Sequence, residues 1–158
     1  MKVKVFKNFL KFFAYALMTL LLVYTSFEIR NFLLNYFANE NFTIFTIDFV
    51  RNSGAAFSIL QTHTNLLILI SIPVLFFVIF YVATNIKRLS YGTLMLLSFF
   101  SAGILGNLLE RIFDGYVTDY ISLNFMHFPI FNLSDVFINV SAFLIICNIL
   151  FGNDGKKA

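Results

Sequence analysis

The sequence predicts an all-α membrane protein of four transmembrane helices, with N and C termini cytoplasmic and a small extracytoplasmic β element between helices 1 and 2. Hydrophobic residues make up 59% of the 158-residue chain and charged residues only 12%, against roughly 25% charged in soluble domains. The apolar residues also gather into four uncharged runs, near the roughly 20 residues a helix needs to cross a hydrocarbon core of about 30 Å. One integral membrane domain over residues 1–158 accommodates them, with no linker, repeat or low-complexity tail.

The first span, about 12–27, follows Lys2, Lys4, Lys7 and Lys11. Cations before an apolar run look like a signal peptide, yet no A-x-A cleavage site follows, so the span reads as a retained anchor. The extracytoplasmic strand and turn region covers about 41–60. Thr43 to Val50 alternates β-branched and aromatic residues, the pattern of a short strand at the membrane surface. Arg51-Asn52-Ser53-Gly54 reads as a turn in which Gly54 is able to adopt positive φ, and Ala55 to Leu60 resumes an apolar pattern. The second span, about 66–83, contains Pro73; the third and fourth are about 91–109 and 136–151.

Lys and Arg concentrate in cytoplasmic loops, which places the lysine-rich N-terminus, the Lys87-Arg88 turn and Lys156-Lys157 together on that side. Glu28, Glu40, Asp48, Glu110, Asp114, Asp119 and Asp135 then fall at or beyond the opposite boundary with Arg30, Arg51 and Arg111. The chemistry is expected there. The net charge of +3 is spread along the chain, so no nucleic-acid partner is expected. The lone Cys147 permits no intramolecular disulfide and no multi-thiolate metal site. His63 and His127 belong to no H-x-x-x-H or H-E-x-x-H arrangement, and Ser58 and Ser134 lack a G-x-S-x-G or S-x-x-K context. Neither metal nor cofactor is expected.

Asp119 lies just beyond span three and Asp135 at the mouth of span four. Ionisable groups at membrane depth usually face a protein interior or a wet cavity and mark function. Asn132-Leu133-Ser134-Asp135 before an apolar helix equally suits N-capping, and spacing leaves both roles open. Two close carboxylates cannot both ionise easily, so one keeps its proton while the other takes one from water, which suits amide hydrolysis. Asn107, Glu110 and Arg111 share a helical face by their i, i+3, i+4 spacing, either as support for such a pair or as an interfacial helix cap.

Four stretches resemble the lipoprotein signal peptidase family, also called signal peptidase II: Val50-Arg51-Asn52-Ser53-Gly54-Ala55-Ala56-Phe57-Ser58, Gly106-Asn107-Leu108-Leu109-Glu110-Arg111, Gly115-Tyr116-Val117-Thr118-Asp119-Tyr120, and Phe128-Pro129-Ile130-Phe131-Asn132-Leu133-Ser134-Asp135. Their order and spacing also match. The resemblance implies a four-span aspartyl endopeptidase of the bacterial cytoplasmic (inner) membrane, its active site at the extracytoplasmic face. Its substrates would be diacylglyceryl-modified prolipoproteins, cleaved on the amino side of the lipid-modified cysteine; membrane lipids are the other expected partners, and the chain is taken as a monomer. Asp119 and Asp135 match the family's catalytic aspartates, while Asn52, Gly54, Asn107, Glu110, Arg111 and Asn132 fall on motif positions that line or support the site.

Four positions depart from the family pattern. Glu110 stands where N-x-x-D-R has aspartate, Ser134 where alanine is usual, and Glu28 with Arg30 near the end of span one where an Asp and a Lys are usual. The changes at Glu110 and near Glu28 motivate an alternative, a catalytically impaired relative that binds lipoprotein or lipid without cleavage. A small transporter ranks below both, because the spans hold no charge and Pro73 offers only a kink.

Overall fold

A computed structural model describes residues 2–54 and 63–151. Its elements are α1 (Lys2–Tyr36), β1 (Phe45–Asn52), α2 (Thr64–Asn85), α3 (Tyr91–Phe113), β2 (Val117–Leu123) and α4 (Leu133–Phe151). All four helices are long and apolar enough to cross a membrane. The apolar pattern from Ala55 to Leu60, Ser58, Asp154, Lys156 and Lys157 lie outside the described residues.

Each helix outruns its uncharged window, α1 most of all. Its 35 residues give a rod of about 52 Å, so both charged ends continue the helix past the apolar stretch expected at 12–27. Nothing between Lys2 and Tyr36 breaks it, as no Gly or Pro occurs there. The chain turns only at Asn39, which adopts a left-handed φ of 65°.

Helix α3 is the hub. More than half of its apolar window is buried, whereas few residues of α2 and α4 are fully buried within the protein. Small residues make this possible: Ser98, Ser101, Ala102, Gly103 and Gly106 are all buried. A side chain at Gly103 would collide with the Ser134 carbonyl and stand 3.0 Å from Ile138 N, so α4 packs backbone-close as small residues in membrane helices allow. Helix α1 adds a polar clasp, Tyr15 Oη to Ser101 Oγ at 2.7 Å. The apolar core, Tyr15, Val82, Ile86, Leu89, Leu94 and Leu97, lies toward the α2–α3 turn.

The expected β element is half of a two-stranded antiparallel sheet. Its second strand comes from between helices three and four, where the sequence pattern predicts none. The register shifts by one residue between Ile47 and Val50, which brings Val50 opposite Asp119 and Asn52 opposite Val117. Such a bulge re-aims the strand beyond it. On its other edge β2 binds the returning chain: Tyr120 N and Ile121 N donate to Phe131 O at 3.0 and 2.8 Å, and Phe131 N donates to Ile121 O at 3.1 Å. This return carries Asn132, and the start of α4 behind it, to the side of Asp119.

Candidate active site

Both aspartates are brought together where β2, the N-terminus of α4 and the C-terminal third of α3 meet. Asp119 points into the protein from β2 and is 3% exposed. Its Oδ2 accepts from Asn52 Nδ2 at 2.8 Å and its Oδ1 from Asn132 Nδ2 at 2.9 Å. Asp135 Oδ1 accepts from Asn107 Nδ2 at 2.8 Å, and its Oδ2 from the Asn132 backbone N–H at 3.2 Å. Asn132 and Asn107 are themselves joined, Nδ2 to Oδ1, at 3.2 Å. Three neutral amides thus hold two carboxylates in one network.

Asp135 takes part in the cap of α4. Asn132 is the residue before the helix, and its Oδ1 accepts from Asp135 N–H at 3.0 Å. With the reverse bond from Asn132 N–H to Asp135 Oδ2, this is the reciprocal capping box. One carboxylate oxygen serves the cap while the other faces Asn107.

Burial pushes Asp119 up from 3.8 to about 6; the Asn52 bond opposes the rise, the charge of Asp135 adds to it, and the Asn132 bond opposes it again. Desolvation outweighs the two neutral donors because neither brings a compensating charge. Tyr120, next in the strand, is 2% exposed and pushed by burial to about 12. As a neutral phenol it accepts from Leu133 N–H at 3.1 Å, tying the first turn of α4 to β2.

Gly54 and Arg111 close one wall. Gly54 N–H donates to Asn52 Oδ1 at 2.9 Å, which fixes the amide so that its NH₂ faces Asp119. Arg111 Nη2 donates to Gly54 O at 3.0 Å and Nη1 to Asn107 O at 3.4 Å, while its Nε is buried with no hydrogen-bond partner among the described residues. Thr64 Oγ1 reaches both Ser53 O, at 3.0 Å, and Gly115 O, at 3.1 Å, and so joins the start of α2 to the end of β1 and to the turn that precedes β2.

Glu110 does not touch either aspartate, although it shares a helix face with Asn107 and Arg111. It is 6% exposed; Oε2 accepts from Thr118 N–H at 2.6 Å, and Oε1 pairs with Arg30 Nη1 at 3.2 Å. It links α1 and α3 to the strand residue just before Asp119. Ser134 likewise makes no hydrogen bond to Asp135: its hydroxyl lies against α3, only 2.5 Å from where a Gly106 side chain would begin. His63 and His127 are exposed and join no metal-binding group among the described residues.

Thr118, Tyr120, Thr64 and the partner role of Arg30 were not legible as site features. The signal for the first two was present in Val117-Thr118-Asp119-Tyr120-Ile121, a β-branched and aromatic run that marks a strand. The Glu110 contact to a backbone amide has no sequence signature.

A family model described as signal peptidase II matches residues 8–151. The lipoprotein signal peptidase of Streptococcus thermophilus is 35% identical over 103 residues, 65% of this chain and 67% of that protein. That of Streptococcus agalactiae is 40% identical over 104 residues, 66% of this chain and 65% of that protein, and that of Fusobacterium nucleatum 29% identical over 113 residues, 72% and 68% respectively. The fold is similar to a solved bacterial membrane enzyme with a TM-score of 0.76 at 27% identity, covering 91% of this chain and 92% of that one.

Proposed function

Because this chain belongs to the signal peptidase II family, we propose that it is an aspartyl endopeptidase in which Asp119 and Asp135 together cleave diacylglyceryl-modified prolipoproteins. Membership and four membrane-competent helices make it a multi-pass bacterial membrane protein. The observation that carries the aspartyl reading is the network itself: two carboxylates, one 3% exposed, bridged by Asn132 and in no ion pair among the described residues.

In this reading the pair shares one proton. The ionised carboxylate takes a proton from water as the water oxygen attacks the scissile carbonyl carbon, and the protonated carboxyl hydrogen-bonds the carbonyl oxygen as it gains charge. Collapse of the tetrahedral intermediate breaks the C–N bond, and a carboxyl proton passes to the departing nitrogen. No covalent enzyme intermediate forms. Asn52, Asn107 and Asn132 keep the carboxylates aligned, and Gly54 with Arg111 forms a wall beside them; Glu110 supports the strand that carries Asp119. Cleavage falls on the amino side of the lipid-modified cysteine, at the extracytoplasmic face of the inner membrane, with both termini cytoplasmic and the whole chain acting as one monomeric domain.

An apolar cavity of about 270 Å³ between α3 and α4, lined in part by Leu96, Phe99, Val136, Phe137 and Val140, starts one residue past Asp135. Its chemistry suits an acyl chain entering laterally from the bilayer, and membrane lipids are partners in that sense. The deciding experiment incubates the purified protein with a diacylglyceryl-modified prolipoprotein, alongside Asp119→Asn and Asp135→Asn. Both variants should lose cleavage; full activity in either defeats the pair. If the wild type binds and never cuts, the impaired-relative reading replaces this one.

A further inference from the structure

At the end of the helix bundle opposite the aspartates, α1 meets the turn between α2 and α3. Lys11 Nζ donates to Leu89 O at 2.9 Å and sits 5.0 Å from the centroid of the Tyr91 ring, which fixes this junction and satisfies that lysine. Beside it opens a cavity of about 510 Å³ lined by Lys4, Val5, Lys7, Asn8 and Lys87. Three lysines from two segments of the chain line it with no carboxylate among them, and no lysine forms an ion pair among the described residues. Like charges so gathered repel, and an anion in the cavity would offset that cost.

The surface below the cavity says what kind of anion. Val5 belongs to the lining, and Phe9, Phe13 and Leu17 follow it at four-residue intervals, the spacing that stacks side chains on one helix face. All four are exposed, and Phe9 and Phe13 stack at 6.3 Å. An apolar track therefore descends along the membrane-crossing part of α1 from a cationic mouth. We propose that this cavity binds the phosphate of an anionic phospholipid, whose acyl chain lies along Val5, Phe9 and Phe13. Basic pockets at the ends of membrane helices recognise such headgroups, each lysine contributing about fivefold in affinity.

The full chain in neutral detergent is titrated with phosphatidylglycerol, with phosphatidylcholine and with inorganic phosphate, and bound ligand is read by native mass spectrometry. Phosphatidylglycerol should be retained over phosphatidylcholine. The double variant Lys7→Gln, Lys87→Gln should lose roughly 25-fold in phosphatidylglycerol affinity, while Lys2→Gln, Arg88→Gln, which removes the same charge at the same end outside the cavity, loses far less. All four positions are exposed, and circular dichroism checks that both variants keep wild-type helicity. Equal losses in the two double variants overturn the site in favour of general surface charge. Equal retention of the two lipids, or displacement of phosphatidylglycerol by equimolar inorganic phosphate, overturns the assignment to a lipid phosphate.

Discussion

Replacing Asn132 by alanine and by serine separates two jobs that one side chain performs. Its Oδ1 caps α4 by accepting from Asp135 N–H at 3.0 Å, and its Nδ2 donates to Asp119 at 2.9 Å and to Asn107 at 3.2 Å. Alanine removes both. The cap is worth about 1 kcal/mol, and a buried bond to a carboxylate about 2 kcal/mol, so Asn132→Ala should cost about 3 kcal/mol. Serine restores an acceptor at the cap but cannot reach both oxygens with donors, so Asn132→Ser should cost about 2 kcal/mol. In a chain of this size the 1 kcal/mol gap separates the melting temperatures by roughly 2–4 °C. Cleavage should fall in both variants alike, by up to roughly 30-fold for 2 kcal/mol of lost support. Circular dichroism melts in detergent and initial rates on a modified prolipoprotein measure the two effects. A serine variant that cuts like wild type while alanine does not would refute the bridging role. Identical melting temperatures for the two would refute the cap.

Asp119→Asn should change how stability depends on pH. Asp119 is held at about 6 against an ordinary 3.8, so between those values the folded state binds more protons than the unfolded, and stability falls as pH rises from about 4 through 6. The variant lacks that slope, and the wild type should lose up to about 3 kcal/mol more across the window; a flat difference between their melting curves contradicts the raised proton affinity. Glu110→Asp should lower both melting temperature and cleavage, because a side chain shorter by one methylene cannot keep Thr118 N–H at 2.6 Å and Arg30 at 3.2 Å together. Faster cleavage by that variant would instead favour an impaired wild type. Gly106→Ala should cost about 1–3 kcal/mol by overpacking and be largely rescued by Ser134→Ala, since the clash is with the Ser134 hydroxyl; additive losses in a double-mutant cycle would place the strain elsewhere. Gly103→Ala should resist that rescue, because it meets the Ser134 carbonyl and Ile138 instead.

The architecture was legible where a single physical pattern decides it. Four uncharged apolar runs gave four helices, and the alternation from Thr43 to Val50 announced a strand. Helix ends were not, because a window that stops at the first charge cannot see that Lys2 to Lys11 and Glu28 to Tyr36 continue α1 without a breaker. The second strand was missed because Asp119 interrupts its apolar alternation, and because pairing with β1, 67 residues away by the Asn52–Asp119 bond, is a tertiary fact. Asp119, Asp135 and the asparagines stood out through motif context, and the structure brings all of them into one network. Glu110 stood out for the same reason, yet its side chain turns to Arg30 and a backbone amide, a direction helix periodicity does not encode.

That turn bears on how the two carboxylates share a proton. A cation placed directly on Asp119 would favour its ionised form strongly. Arg30 and Arg111 are the cations of this region, and neither pairs with Asp119 among the described residues. Arg30 is occupied by Glu110 at 3.2 Å, and Arg111 is held on the Gly54 and Asn107 carbonyls at 3.0 and 3.4 Å. The groups that do touch Asp119 are the neutral amides of Asn52 and Asn132, which align a carboxylate without cancelling the cost of its burial. Asp119 therefore stays at about 6, where a proton can be held or released near neutrality. The family departure at Glu110 fits the same logic, because its longer side chain reaches Arg30 while still gripping Thr118, the residue before Asp119. Arg30→Gln should accordingly weaken the strand anchor rather than the carboxylates' alignment. It should lower the melting temperature and leave the acid limb of the cleavage–pH profile in place, whereas a shifted limb would mean that Arg30 acts on Asp119 directly.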